Sequence, residues 1–262
     1  MTTAWQYFTR TLSAEVLKCR RTLIFWLAAG APFFAAFLLF NIFYFKGHQI
    51  IRADGDPNPW ATYLGMIEDL WGFFLFPSYI VLQSALLLSL EHQSGAWKHL
   101  YALALPRWTV YFGKLALCVG LVTLCVCLLY VLTEGAGMLL TLLRPELDFG
   151  RYDVSPVILR GYAKLWLAGL GIVGIQHYVS FRYPNFIVPT AFGFAMTLAA
   201  VALAGQPALQ YIPYAFPAAA LKFLKYGSPT FPLVDQQVCL SLAVFVVVSL
   251  LGYRAIARRD VN

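Results

Sequence analysis

The feature that most constrains this chain is a run of 24 residues, 22–45, containing no Asp, Glu, Lys or Arg. A helix needs about 20 apolar residues to cross about 30 Å of hydrocarbon, so the run predicts a membrane span. Residues 70–90 and 115–133 are also free of charge, over 21 and 19 positions. Residues 159–179 qualify if Arg160 and Lys164 snorkel to the nearer interface. Residues 186–205 carry Pro189 in the first turn, where a missing N–H costs little, and 236–253 are rich in Val and Leu. The expected fold is an all-α integral membrane protein, one domain over 1–262 with six transmembrane helices. Only 12% of the chain is charged, against about a quarter in soluble domains.

Charge sets the expected orientation. With the N-terminus in the cytoplasm, the inner side holds 11 of the 19 Lys and Arg but only 3 of the 12 Asp and Glu. That asymmetry follows the positive-inside rule and places both termini inside. The net charge of +7 is then a signature of topology, and no nucleic-acid partner is expected. Trp26, Trp60, Trp71 and Trp108 near span ends fit an interfacial belt. The five cysteines form no CxxC pair, so they read as small buried residues and no metal site is expected. The first apolar run is too long for a signal peptide and reads as an anchor.

Residues 4–21 predict an interfacial helix with Trp5, Phe8, Leu12 and Val16 near one face and Arg10, Lys18 and Arg21 elsewhere. The segment 46–69 contains DGDPNPW and reads as a solvated acidic outer loop. Gln83 and Ser84 fall near mid-membrane, where they either bond neighbouring helices or line a passage. Glu134, at the outer end of the third span, reads as a solvated interfacial carboxylate or a gate. Gly169, Gly171 and Gly174 allow close helix approach, and His177 reads as a structural histidine. Residues 206–234 hold five prolines yet are apolar, which points to a broken segment dipping into the outer leaflet or packed on the spans.

The polar stretch 91–114, EHQSGAWKHLYALALPRWTVYFGK, is the longest inner connection. Ser94 or Gly95 can start a helix that must end before Pro106. In it Trp97, Leu100, Tyr101 and Ala104 share one face, beside Lys98, His99 and Arg107. That face lies on lipid or fills a groove on a cytoplasmic partner, for which Trp, Tyr and Arg are the typical anchors. Glu91 is placed to pair with a base or cap the turn. No GxxxxGK[ST] loop, HExxH helix or GxSxG elbow occurs. Nor is there an internal repeat, and mid-span charges of the kind expected in a secondary transporter are scarce. If the chain moves cargo, its energy comes from elsewhere.

Several segments together resemble the type-2 ATP-binding-cassette permeases. SAEVLKCRRT, with Glu15, Lys18, Arg20 and Arg21, resembles their N-terminal elbow. Glu91, Gly95, Trp97, Lys98, Leu100, Tyr101, Pro106, Arg107, Tyr111, Gly113 and Lys114 look like their coupling region. That region is especially similar to the lantibiotic-immunity and bacitracin-export branch. Gln176, Ser180, Arg182, Asn185 and Phe186 resemble that branch's turn after the fourth span, and Arg258–Val261 its C-terminus. The resemblance implies a permease of the bacterial cytoplasmic membrane, a homo- or heterodimer seated on two cytoplasmic ATPases. ATP and Mg2+ would be held by those partners and no cofactor by this chain, which would not itself be an enzyme. The implied function is export or membrane clearance of an amphipathic substrate, with an antimicrobial peptide as the expected cargo. Gln83, Ser84 and Glu134 are then candidates for the pathway. The competing readings are a membrane scaffold subunit without transport and an intramembrane enzyme.

Overall fold

A computed structural model describes residues 4–20, 22–54, 58–93, 106–225 and 231–257, and the described elements are all helical. Helix α1 is Ala4–Cys19 and α2 Leu23–Asp54; α3, Pro59–Ile67, runs through a π-helical stretch, Glu68–Leu75, into α4, Phe76–Gln93. Then follow α5 (Arg107–Leu143), α6 (Ser155–Arg182), α7 (Ile187–Ala202), α8 (Phe216–Lys225) and α9 (Gln236–Ala257). Five of these units are long and apolar enough to cross a membrane: α2, α3 with α4, α5, α6 and α9. The chain is therefore a multi-pass membrane protein. The expected span 186–205 is a shorter helix: α7 has 16 residues, about 24 Å at 1.5 Å per residue.

The long helices alternate in direction, so α1, the start of α5 and the ends of α4, α6 and α9 gather at one end of the bundle, here called the basal end. At the opposite end the helices run past their apolar runs. The loop expected over 46–69 is mostly helix: α2 continues to Asp54, and Asn58 caps α3, its side chain accepting from Trp60 N at 3.0 Å with Pro59 at the first helical position. An Asn-Pro start followed by an apolar run is a strong helix signal, and it prevails over the turn chemistry before it. Thr62 Oγ1 donates to Asp54 at 2.8 Å and ties the two helices.

The connection 144–154 is a plug. Its two short 3-10 turns, Pro145–Leu147 and Phe149–Arg151, drop Phe149 among Phe43, Trp60 and Tyr63, with ring centroids 5.2–6.0 Å away. Trp60 Nε1 donates to Phe149 O at 3.0 Å, so its one polar atom is satisfied. The opposing wall is Gly137, where a Cβ would come within 2.1 Å of the Trp60 ring. Gly137→Val is expected to displace Trp60 and cost about 1–3 kcal/mol by overpacking, read as a lower unfolding midpoint in detergent.

The middle of the proline-rich segment, 214–221, is packed on the spans, one of the two forms anticipated. Tyr214, Ala215, Phe216, Ala218 and Leu221 are buried, and Tyr214 Oη accepts from Gln176 Nε2 at 2.8 Å, far along α6. The glycine stripe also does what its residues promise. Ser241 Oγ lies 2.9 Å from Gly171 N, and Gly174 backs onto Phe245 of α9.

Lys164 departs from expectation. It does not snorkel: its side chain is fully buried, 2.6 Å from Asp235 and over the Phe231 ring at 5.5 Å. A lysine this far inside a span is tolerated only with a partner, and the carboxylate at the start of α9 supplies it. Arg160, by contrast, is exposed.

Candidate functional site

The basal end collects most of the described candidate residues. Helix α1 meets the bundle by a face other than its apolar one. Trp5 and Val16 point outward, while Thr11, Glu15 and Cys19, spaced at i, i+4 and i+8, are buried. The reason is charge: Glu15 Oε2 is 2.5 Å from Lys114 Nζ of α5, and Oε1 is 3.0 Å from Lys18 Nζ. Glu15 and Lys114 are 3% and 1% exposed. A carboxylate and an ammonium removed from water must sit together, so this pair fixes which face of α1 meets the bundle. Gly113 opens the approach, since a Cβ there would touch Thr11 at 3.3 Å. Outside the pair, rings stack in sequence, Trp5 on Phe8 at 5.9 Å and Phe8 on Trp108 at 6.2 Å.

The first turn of α5 is tied to the last turn of α9. Arg107 Nη1 donates to Ala257 O at 3.0 Å, with Ile256 O at 3.5 Å. A cation on the orphan carbonyls of a helix C-terminus satisfies them and complements the macrodipole. One turn later Tyr111 is the hub of a buried cluster with Leu88, Phe181 and Ile256. Its ring centroid lies 4.9 Å from His177 and 5.3 Å from Phe181. Gly252 lets α9 close on it, because a Cβ there would meet Tyr111 Oη at 2.2 Å. Helices α1, α4, α5, α6 and α9 are thereby joined into one block at this end. A notch of about 200 Å³ opens beside it, between Tyr178, Phe181 and Arg182 of α6 and Gly252, Ala255 and Ile256 of α9.

Gly95, Trp97, Lys98, Leu100 and Tyr101 lie outside the described residues, as does Arg21. Glu91 is in the last turn of α4, with its side chain outside the description. Pro106 precedes α5 and Arg107 opens it. Lys114 is buried inside the chain, with its Nζ on Glu15. Lys18 is 44% exposed and Arg20 is exposed.

The three pathway candidates are not brought together. Gln83 and Ser84 are fully buried, with Ser84 Oγ 3.3 Å from Cys118 Sγ of α5. Neither amide atom of Gln83 finds a hydrogen-bond partner among the described residues. Glu134 lies toward the far end, where its Oε2 accepts from Ser155 Oγ at 3.1 Å. No group of three or more His, Cys, Asp or Glu among the described residues is arranged to hold a metal ion.

Sequence reasoning singled out Glu15 and Lys114 but not their contact, and it missed Tyr111 as a hub and the Lys164–Asp235 pair. A usable signal existed for the last: a lysine well inside an apolar run requires a buried anion. The residues from Thr11 to Val201, from within α1 through α7, match a family model described as ABC-2 family transporter protein. No curated protein and no solved structure shows a match.

Proposed function

The chain belongs to the ABC-2 family of transporter proteins and is a permease subunit of an ABC transporter, and from that premise we propose that its basal end is where a separate cytoplasmic ATPase delivers force. The observation that carries the reading is the buried Glu15–Lys114 contact at 2.5 Å. It joins α1 to the helix that begins directly after the coupling stretch. Arg107 and Tyr111 extend that junction to α6 and α9. A push received by residues 94–105 therefore reaches α5 within two turns and is shared by α1 and α9 rather than absorbed by one loose helix.

In this reading Trp97, Leu100 and Tyr101, flanked by Lys98 and Arg107, form the foot that enters the ATPase. ATP and Mg2+ are bound by that partner. Two permease subunits, identical or different, stand on an ATPase pair in the bacterial cytoplasmic membrane, with the basal end and both termini inside. Helix α7 completes a sixth crossing with the turns that follow it. Helix α1 is the elbow, lying in the headgroup plane with its outward Trp5 and Val16. The cargo is amphipathic, an antimicrobial peptide in the first instance, because the spans present long apolar faces and few polar groups able to hold a small ion.

Trp97→Ala or Tyr101→Ala is expected to weaken ATPase binding by about 2 kcal/mol or more, the usual loss of a desolvated aromatic anchor, with insertion and unfolding midpoint unchanged. Co-purification of the ATPase from membranes measures it, and undiminished recovery from both variants would end the docking assignment. Transport is tested separately. In nanodiscs holding the complete assembly, an amphipathic peptide should change the ATP hydrolysis rate. A rate indifferent to every peptide tried, with binding intact, indicates a scaffold.

A further inference from the structure

At the end opposite the docking block, α2 and α5 enclose an open groove of about 420 Å³. Phe33, Phe37 and Phe40 form one wall, and Gly135, Ala136 and Leu139 the other. The groove exists because Gly135 and Ala136 present almost no side chain between bulky neighbours, and a Cβ at Gly135 would meet nothing within 4 Å. Both flanks face outward: Phe33 and Phe37 are 56% and 57% exposed and Leu139 50%.

An apolar face on a membrane span is no site by itself, since bulk lipid tails are as apolar as the side chains. What distinguishes this groove is its mouth. The Phe40 ring stacks on Tyr44 at 6.0 Å, and the Arg144 guanidinium lies over the Tyr44 ring at 5.6 Å. Arg144 is held by two contacts, Nη1 to Tyr44 O and Nε to Glu146. Its remaining N–H groups are uncommitted by either contact, and its side chain is 25% exposed. From Phe33 to Tyr44 the helix rises about 16 Å at 1.5 Å per residue, close to half of the about 30 Å hydrocarbon thickness. The groove and the Tyr44–Arg144 site just beyond Phe40 together span about one leaflet, apolar along the groove and cationic at its end.

We propose that this groove is a binding site for one anionic phospholipid of the surrounding bilayer, an acyl chain lying along the phenylalanine wall and the phosphate on Arg144. Selectivity comes from the headgroup. Guanidinium and phosphate make charge-assisted, two-pronged hydrogen bonds, and Tyr44 keeps the guanidinium beside the groove for them. Glu146 is the competing anion, and Arg144 keeps its carboxyl below the ordinary range. An exposed ion pair of this kind contributes little, so a phosphate can share the guanidinium without displacing much. The site does not depend on which cargo the transporter moves or on how the ATPase docks.

The test uses the full chain purified in detergent and native mass spectrometry with phosphatidylglycerol or phosphatidylcholine of identical chains. Wild type is expected to retain one phosphatidylglycerol about tenfold more tightly than phosphatidylcholine. Arg144→Gln should bring that ratio close to one. Gly135→Leu, which fills open space and should keep the wild-type unfolding midpoint, should reduce retention of both lipids. Equal retention of the two lipids by wild type overturns the proposal, as does a preference that survives Arg144→Gln. If Gly135→Leu leaves the lipid count unchanged but converts dimers to monomers, the groove is a contact between two copies of the chain and the lipid site is refuted.

Discussion

Glu15→Leu is expected to destabilise the subunit by about 3–5 kcal/mol, the usual consequence of removing one partner from a buried ion pair. Lys114, 1% exposed, would lose the carboxylate 2.5 Å away. Lys114→Met should cost less, because Glu15 keeps Lys18 at 3.0 Å, and Lys18 is 44% exposed and in touch with solvent. The double variant Glu15→Leu/Lys114→Met should regain most of the stability, since well-packed apolar groups of similar volume often replace such a pair at no loss. Thermal unfolding of the four proteins in one detergent measures this directly. A double variant as unstable as Glu15→Leu would show that the pair is not what makes the single change costly. The same double variant separates structure from coupling. If force passes through the junction of α1 and α5, it should fold well yet show weakened cargo-dependent ATP hydrolysis in the complete assembly.

Asp235→Ala should be comparably damaging, and for two separable reasons. The carboxylate pairs with fully buried Lys164 at 2.6 Å, and its Oδ1 accepts from Val238 N at 3.0 Å, capping α9. Loss of the anion should cost about 3–5 kcal/mol and loss of the cap about 1 kcal/mol. Asp235→Asn keeps an acceptor for Val238 N and removes the charge, so the difference between the two variants isolates the cap. Lys164→Met is expected to be milder than either, because Asp235 is 18% exposed and can be hydrated once alone. An Asp235→Asn protein as stable as wild type would mean that the ammonium of Lys164 is satisfied without that charge.

The two ion pairs show where reading the chain succeeds and where it stops. A charge-free run of 24 residues has few structural outcomes, and helix α2 follows from it. The length of α2 does not. Residues 46–54 include Lys46, His48, Gln49, Arg52 and Asp54, and they continue the helix because α3 turns back beside it and Asp54 accepts from Thr62. Glu15 and Lys114 drew attention through their resemblance to family motifs, as an elbow residue and a coupling residue. Nothing in their spacing along the chain indicated that they touch, 99 positions apart. Helix α1 shows the same limit. Its aromatic and apolar spacing suggested an interfacial helix, but only the position of buried Lys114 shows that its inward face is centred on Glu15. Lys164 misled in a different way: in the expected span 159–179 it falls close enough to one end to snorkel, whereas in the longer helix Ser155–Arg182 it lies deeper, and Asp235 on the neighbouring helix makes burial the better outcome.

What the amino-acid order decided alone is the solvent. Stretches without charge long enough to cross hydrocarbon oblige the backbone to close its own hydrogen bonds, which leaves helices. What tertiary structure decided is partnership: Glu15 with Lys114, Lys164 with Asp235, Trp60 with Phe149 O and Arg144 over Tyr44. The physical reason is that helix formation depends on neighbours three and four residues away, which the order of residues displays. The pairing of buried charges and rings depends instead on which helices become adjacent, and that is settled only when the whole bundle packs.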